Sequence, residues 1–509
     1  MSLERRILEL TRRYRPLAVE LLKEAIRIPA DYVDRSNAKG GDPLCGLSNH
    51  EGPRLQYLKK RIVALGAVAQ ARDTWFDDFG NLLWKVHNPA DGVAASAKVV
   101  VYLDGHADTG KALRKRWLEE LAGIDAYDGL TSLRHVNKSF LRGELGYLPP
   151  EREWGNLIFG RGAASQLGGV IAQILATKIL LELVEHGSLQ GVIVISAATV
   201  SEQDNDGAGP RHMMRDLVGA PAERIPDVVL LSEATGDAEG GACGIYRGQR
   251  GRMQIEVQVT GKSCHASMPW QGLNPLEHAA RVVAEAAERY ERTEGFLDDD
   301  FLGVGTRTAS WIKLDTPSDR MVPNRCTLRF DRRLTVGESP EKALADLENL
   351  KAVARARETG LTVDVRIPIY TEPSWRNVVS GNPQVYGGWS TPAGHLAAKM
   401  AMETYFRVVT PQVKRDGTAG ALRREPRLGR WIFSTDGVGY PIAATKKAMK
   451  VPATKKWVKS GSRTHPAIIG LGPGIEHNAH KIGECVDIRE VEAAIAFYAR
   501  FPSLYAENC

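Results

Sequence analysis

Four segments place a residue of ligand or proton-accepting type straight after an apolar, strand-like run. His106 and Asp108 follow VVVYLDG, Glu202 follows GVIVISAATVS, Glu233 follows VVLLS and His480 follows PAIIGLGPGIEHNA. Active sites of open α/β sheets form where strand carboxyl ends meet loops, so five such residues at four strand ends read as a site for metal-assisted hydrolysis. His106 and Asp108 are two apart, which puts both on one side of an extended backbone. The histidine can ligate a cation while the carboxylate hydrogen-bonds and orients a neighbouring group. Glu202 is a carboxylate able to act as general base on a cation-activated water. Two positions are neutral where a two-metal site needs carboxylates: Ser165 in GRGAASQLGG and Gln203 in TVSEQDNDG.

The elements that must position these groups alternate. A helix runs to about Lys23 and a second lies in GPRLQYLKKRIVALG. Strands follow at NLLWKV and KVVVYLDG, then a helix in GGVIAQILATKILLELVEHG and strands at GVIVISAAT and PDVVLLS. Such alternation predicts an α/β sheet with substantial parallel pairing. From Gly251 the order becomes β-α-β-β-α-β, the ferredoxin-like arrangement, with SPEKALADLENLKAVARARE as its second helix. The expected architecture is therefore an α/β catalytic domain with a mixed sheet, made from residues 1–250 and 371–509 and interrupted by a lid domain over 251–370. Residues 111–150 read as a long polar connection between two site segments.

At this point the chain resembles the aminoacylase, carboxypeptidase G, acetylornithine deacetylase and succinyl-diaminopimelate desuccinylase family of co-catalytic zinc hydrolases. GHAD, FGRGAASQLGG, ATVSEQDNDG, LLSEATG, GKSCHASMPWQGLNP, VPNRCTLRFDRR, WIFSTDGVG and GPGIEHNAHKIGE occur in the family's order over nearly the whole length. The resemblance implies a zinc-exopeptidase-like catalytic domain and a lid that serves in dimerisation. It implies that His106 and Glu233 bind one metal, that His480 binds the other, that Asp108 orients a ligand and that Glu202 is the general base. It further implies that His265 reaches the substrate from the lid, often that of a partner subunit. In the family the position of Ser165 is an aspartate bridging both metals and that of Gln203 a glutamate ligand, so two anionic ligands are missing here. Two dications about 3.5 to 4 Å apart would repel with little compensation. The expectation is one weakly held divalent transition metal (manganese, zinc, cobalt or iron) on His106, Glu233 and His480, with a second metal disfavoured.

The expected activity is hydrolysis of a C–N bond in a small, carboxylate-bearing compound; Arg332 and Arg333 either bind that carboxylate through bidentate contacts or pair with acids at the strand end. One alternative is an aminohydrolase of an activated aromatic amine, like the family members that act on 5-nitroanthranilate. Another is an inactive relative that serves as a binding or assembly protein. Trp270, Trp375 and Trp431 fall near the motifs and could line an aromatic-friendly pocket, though core packing is the commoner fate of tryptophan. Lys446, Lys447, Lys450, Lys455, Lys456 and Lys459 around Trp457 read either as a solvated loop or as an anion-attracting rim.

The chain's 509 residues carry 67 basic and 61 acidic side chains, a net charge of +6 that is small for this size and gives no nucleic-acid footprint. No apolar run is expected to reach the eighteen or so residues of a spanning helix, and the start reads as an amphipathic helix without a signal-peptide core, so no membrane partner and a cytoplasmic location are expected. Six scattered cysteines without a CxxC pair indicate neither disulfides nor a thiolate zinc site. A homodimer or higher homo-oligomer is expected from the lid.

Overall fold

The computed structural model describes residues 1–30, 50–131, 136–416, 420–441 and 451–509; Cys45, Lys446, Lys447 and Lys450 lie outside the described residues. The catalytic domain is built on a nine-stranded mixed sheet. At its centre four parallel strands lie in the order Val192–Thr199, Val99–His106, Val228–Leu231 and Ala467–Gly470. These runs are rich in Val, Ile and Leu because helices and loops bury them on both faces. Antiparallel strands flank them, Leu82–His87 on one side and Ile245–Gln249 on the other. Parallel pairing aligns the carboxyl ends of the four central strands along one edge, and there the chain places its functional groups.

The helix Gly168–Glu182 is apolar nearly all round and packs with Ile488–Ala506 and Leu3–Ile26 over one face of the sheet. Contrary to the expectation that no apolar run reaches spanning length, Ala163–Glu182, which includes the turn before this helix, is long and apolar enough to cross a membrane by length and composition, but 89% of that window is buried inside the protein. Its hydrophobicity is thus that of a core helix.

The inserted domain has the expected order. Its antiparallel sheet runs Thr362–Arg366, Gly251–Thr260, Arg325–Leu334, Thr306–Asp315, with Pro275–Glu291 as the first helix. The predicted second helix is two, Pro340–Glu348 and Lys351–Glu358, because Leu350 adopts an extended backbone (φ −64°, ψ 140°). The ten-residue strand Gly251–Thr260 outruns Thr362–Arg366, and Val385–Tyr386 pairs with its remaining Met253 and Arg252, so the lid's sheet reaches past residue 370. Thr306–Asp315 is an edge strand with Trp311, Ile312 and Leu314 exposed.

Residues 111–150 are more than a connection. They carry the helices Arg114–Glu120 and Lys138–Glu144, and Trp117, Leu121 and Leu141 form a small apolar core with Phe159 and Ile482.

Candidate active site

His106 ends its strand with a fully buried ring. Its Nδ1 lies 3.0 Å from the backbone oxygen of Asp108 and 3.3 Å from Asp108 Oδ1, a pairing that assigns the proton to Nδ1 and turns Nε2 toward the site. Nε2 is 3.3 Å from Glu233 Oε2 and 3.5 Å from Glu202 Oε2. The other Asp108 oxygen accepts the backbone N–H of Gln203 over 2.8 Å, so this acid ties the His106 strand to the loop carrying Glu202. That loop turns sharply at Ser201 (φ 62°), whose N–H donates to buried Glu51.

Two glutamine amides complete the arrangement. Gln203 Nε2 donates to Glu202 Oε2 over 2.6 Å, and Gln166 Nε2 donates to Glu233 Oε2 over 2.8 Å. Gln166 is held at its other end, where Ser232 Oγ donates to its Oε1. A Cβ on Gly105 would collide with that Oε1 and with Ser232 Oγ, so glycine is required for the amide to enter. Ser165 lines the cleft, its loop fixed by Glu484, which accepts the N–H groups of Gly162, Ala164 and Ser165 and pairs with Arg161. The same carboxylate accepts the His480 N–H over 3.2 Å.

His480 sits in a left-handed backbone conformation (φ 64°) at the cleft mouth. Its ring lies beside Gln203: a Cβ on Gly110 would be 2.8 Å from His480 Nδ1 and 2.9 Å from Gln203 Oε1. Among the described residues, the one compact trio of metal-ligating side chains, with donor atoms all within 4.8 Å of one another, is Asp77, His212 and Asp216, none of which lines this cleft. His106 and Glu233 come together, then, and His480 does not close with them into such a trio.

The electrostatics are those of a buried acid cluster. Glu51, Asp104, Asp108, Glu202, Glu233 and Asp436 are all buried around His106. Burial pushes the Glu202 carboxyl well above the carboxylate range, His106 offsets part of this, and Asp108 and Glu233 push it further. For His106 burial disfavours the charged ring, but Glu202, Asp108 and Glu233 outweigh it and hold its pKa well above the usual value. Asp104, accepting from Tyr440 over 2.8 Å, is raised to about 7 by burial. Asp436, accepting from Thr199, is raised by burial and by Asp104.

Such a cluster calls for a cation, and one position fits. Two donors about 2.1 Å from a tetrahedral cation are about 3.4 Å apart, which matches the 3.3 Å between His106 Nε2 and Glu233 Oε2. The second family position does not fit. Ser165 offers a hydroxyl and Gln203 a neutral amide oxygen, so neither brings the negative charge that a second dication needs.

Above these groups lies a cleft of about 360 Å³, lined by Ser165, Glu202, Gln203, Glu233 and His480 on the catalytic side and by Arg252 and Arg333 from the lid. Arg332 is not there. Consecutive strand residues point to opposite faces, and Arg332 is buried in the lid, paired with Glu338 and stacked 3.9 Å from the Phe296 ring centroid. Arg333 forks onto Asp331 and donates to Ser434 over 2.9 Å, while Arg252 bridges Asp331 and Asp206. His265 is exposed on the lid, its Nδ1 2.7 Å from Ser267 Oγ, and lines no part of this cleft in the single chain.

None of the three tryptophans lines the cleft. Trp270 is exposed on the lid, Trp375 packs on Gly52 and Gly80, and Trp431 is buried with its N–H on Ala234; the aromatic ring in the cleft is Phe433. Lys455 pairs with Asp227 and Trp457 donates to Pro226, at the end of Val228–Leu231 opposite Glu233, so this part of the lysine run forms no rim on the cleft.

Gln166, Glu51, Asp104, Asp436, Asp206 and Arg252 were not singled out by sequence reasoning. Asp104 and Asp436 stood inside the quoted runs VVVYLDG and WIFSTDGVG, and Gln166 beside Ser165; an acid or amide inside an apolar motif was the available signal. Asp206 likewise stood inside the quoted run ATVSEQDNDG; for Arg252, which meets it from the lid, there was no signal.

The fold is that of a two-domain α/β protein with a buried acid cluster at its central strand ends and an inserted lid above it. Residues 247–355 match the peptidase dimerisation domain of the M20 family. The chain is 29% identical over 428 residues, 84% of each chain, to the uncharacterized protein YgeY of Escherichia coli K12. It is 26% identical over 194 residues to succinyl-diaminopimelate desuccinylase 2 of Shewanella loihica, covering 38% of this chain and 48% of that one. In fold it is similar to the M20 family metallo-carboxypeptidase Sso-CP2 of Sulfolobus solfataricus, with a TM-score of 0.61 at 15% identity over 96% of this chain and 99% of that one. The lid is thus similar to the M20 peptidase dimerisation domain, and the whole chain shares the fold of M20 peptidases.

Proposed function

We propose that the chain hydrolyses a C–N bond of a small substrate held between the acid cluster and the lid, using a single divalent cation. The observation that carries this reading is the placement of Glu202: a buried carboxylate 3.5 Å from His106 Nε2, opening on the cleft beside the His106–Glu233 pair. His106 and Glu233 would hold the cation, with His480 as third ligand from the cleft mouth. Bound there, it would polarise the electrophilic carbon and acidify a water. Glu202 accepts the proton of the attacking water and returns it to the leaving nitrogen, so that water adds across the broken bond. Asp108 keeps the His106 tautomer and, through the Gln203 N–H, the position of the Glu202 loop. Arg333, with Arg252, faces the cleft from the lid and would orient a carboxylate-bearing substrate.

The lid is proposed to pair two copies of the chain through the edge strand Thr306–Asp315, with His265 entering the neighbour's cleft. A narrower reading, hydrolysis of an activated aromatic amine, draws on the single cation's lower Lewis acidity and on Phe433 in the cleft. A screen of N-acyl amino acids, dipeptides and amino-substituted benzoates with manganese, zinc, cobalt or iron tests both. Turnover of an acylated or peptide substrate supports the first reading, turnover restricted to aminobenzoates the second. Turnover of none in any metal would favour an inactive binding or assembly role.

A further inference from the structure

The two glutamines at the floor of the cleft do the same thing: each sends an amide N–H to an oxygen of a site carboxylate that also faces His106 Nε2. For Glu233 Oε2 the distances are 2.8 Å from Gln166 and 3.3 Å from His106; for Glu202 Oε2 they are 2.6 Å from Gln203 and 3.5 Å from His106. A carboxylate only accepts, so the nitrogen end of each amide must face it.

For Gln166 the orientation is fixed from behind as well. Its side chain is buried, its Oε1 accepts from Ser232 Oγ, and that hydroxyl in turn accepts from Gln173 Nε2 over 2.9 Å. The space it fills exists because residue 105 is glycine. A glutamate at 166 would bring two carboxylates to 2.8 Å of each other, an arrangement that requires another cation or a shared proton. A glutamine requires neither and still gives Glu233 a partial positive charge.

Resting on the one-cation reading above, we infer that Gln166 is a positioning residue of the cation site. It clamps Glu233 against His106, and together with Gln203 on Glu202 it supplies by hydrogen bond the positive partners that a second dication would otherwise provide. The substitutions at 165 and 203 are then half of a compensated design, and Gln166 is the other half. The site is built for one cation.

The test is calorimetric titration of the full-length protein with Mn²⁺, and with Co²⁺ read by its visible absorption, for wild type, Gln166→Met and Gln166→Glu. Circular dichroism and melting temperature check that each is folded. The expected results are one cation per chain in wild type and one cation at roughly tenfold or more weaker affinity, with a changed Co²⁺ spectrum, in Q166M. Q166E should bind the cation more tightly or take up a second. A folded Q166M with wild-type affinity and spectrum would overturn the role of Gln166. Should Q166M not fold, Q166E alone decides, and wild-type affinity and stoichiometry in it would overturn the proposal. Two cations, or none, in wild type would overturn the one-cation reading and this proposal with it, a result distinct from unchanged affinity in the variants.

Discussion

The side-chain amide of Gln203 donates to the carboxylate of Glu202, its immediate neighbour in sequence, over 2.6 Å. A hydrogen bond of this kind orients the oxygen and favours its charged form, so Gln203 holds the proposed base in place. Glu202→Gln removes the proton acceptor while keeping size and most contacts. Turnover should fall by about 100- to 10,000-fold, the usual cost of losing a general base, with melting temperature and cation content near wild type. Steady-state kinetics on the substrate found in the screen, with elemental analysis of the same sample, checks this; near-normal turnover would remove Glu202 from the mechanism.

Arg332 and Arg333 separate by alternation. Arg332 is buried and paired with Glu338, and removing one partner of a buried pair costs about 3 to 5 kcal/mol. Arg332→Ala should therefore lower the melting temperature strongly, with KM unchanged in the fraction that folds. Arg333→Ala should raise KM for a carboxylate-bearing substrate at least several-fold with a smaller loss of stability. Thermal melts and KM measured on both variants decide; the reverse pattern would contradict the assignment of strand faces.

Stability should depend on acid through His465. This ring is fully buried, 2.8 Å from Ser460 Oγ and 2.6 Å from the Pro466 oxygen, and burial lowers its pKa to about 4. An unfolded chain protonates its histidine near pH 6.5 while the folded one does not, so the folded state is favoured fully above pH 6.5 and loses stability as pH falls from there toward 4. The melting temperature of wild type should decline across that window. In His465→Gln, which has no group to protonate there, the slope should be shallower by that residue's share. Equal slopes in the two proteins would exclude His465 as a source.

The lid edge gives a quaternary prediction. Trp311 and Ile312 are 43% and 55% exposed on an edge strand, an apolar edge of the kind that pairs with another chain. Light scattering at micromolar concentration should give a dimer or larger for wild type and a monomer for Trp311→Lys with Ile312→Lys. If His265 enters the neighbour's cleft, the monomer should also lose most of its activity, and His265→Ala should lose activity without dissociating. A strictly monomeric wild type would refute the arrangement.

The parts of this molecule visible in the sequence are those written locally. Runs such as VVVYL and VIVIS announced buried parallel strands, and the residue after each run announced the site edge, because parallel pairing aligns strand ends. The alternation of Arg325–Leu334 was equally local, yet it was not applied to Arg332 and Arg333, which cannot both reach one cleft. Other features depended on contacts across the chain. Gln166 meets Glu233 over 67 residues, Arg252 meets Asp206 over 46, and Lys455 is drawn to Asp227 over 228. No period or motif encodes such pairs. The break at Leu350 was hidden because the helical pattern continues in phase on both sides of it.

His106, Glu233 and His480 are proposed to serve one cation, with Ser165 and Gln203 neutral beside them. Metal content per chain, measured by elemental analysis and by anomalous scattering from crystals grown with manganese or zinc, tests it most directly. The account predicts a single cation bound to His106 and Glu233, with no ordered cation between Ser165 and Gln203. Two fully occupied cations in each chain would contradict it.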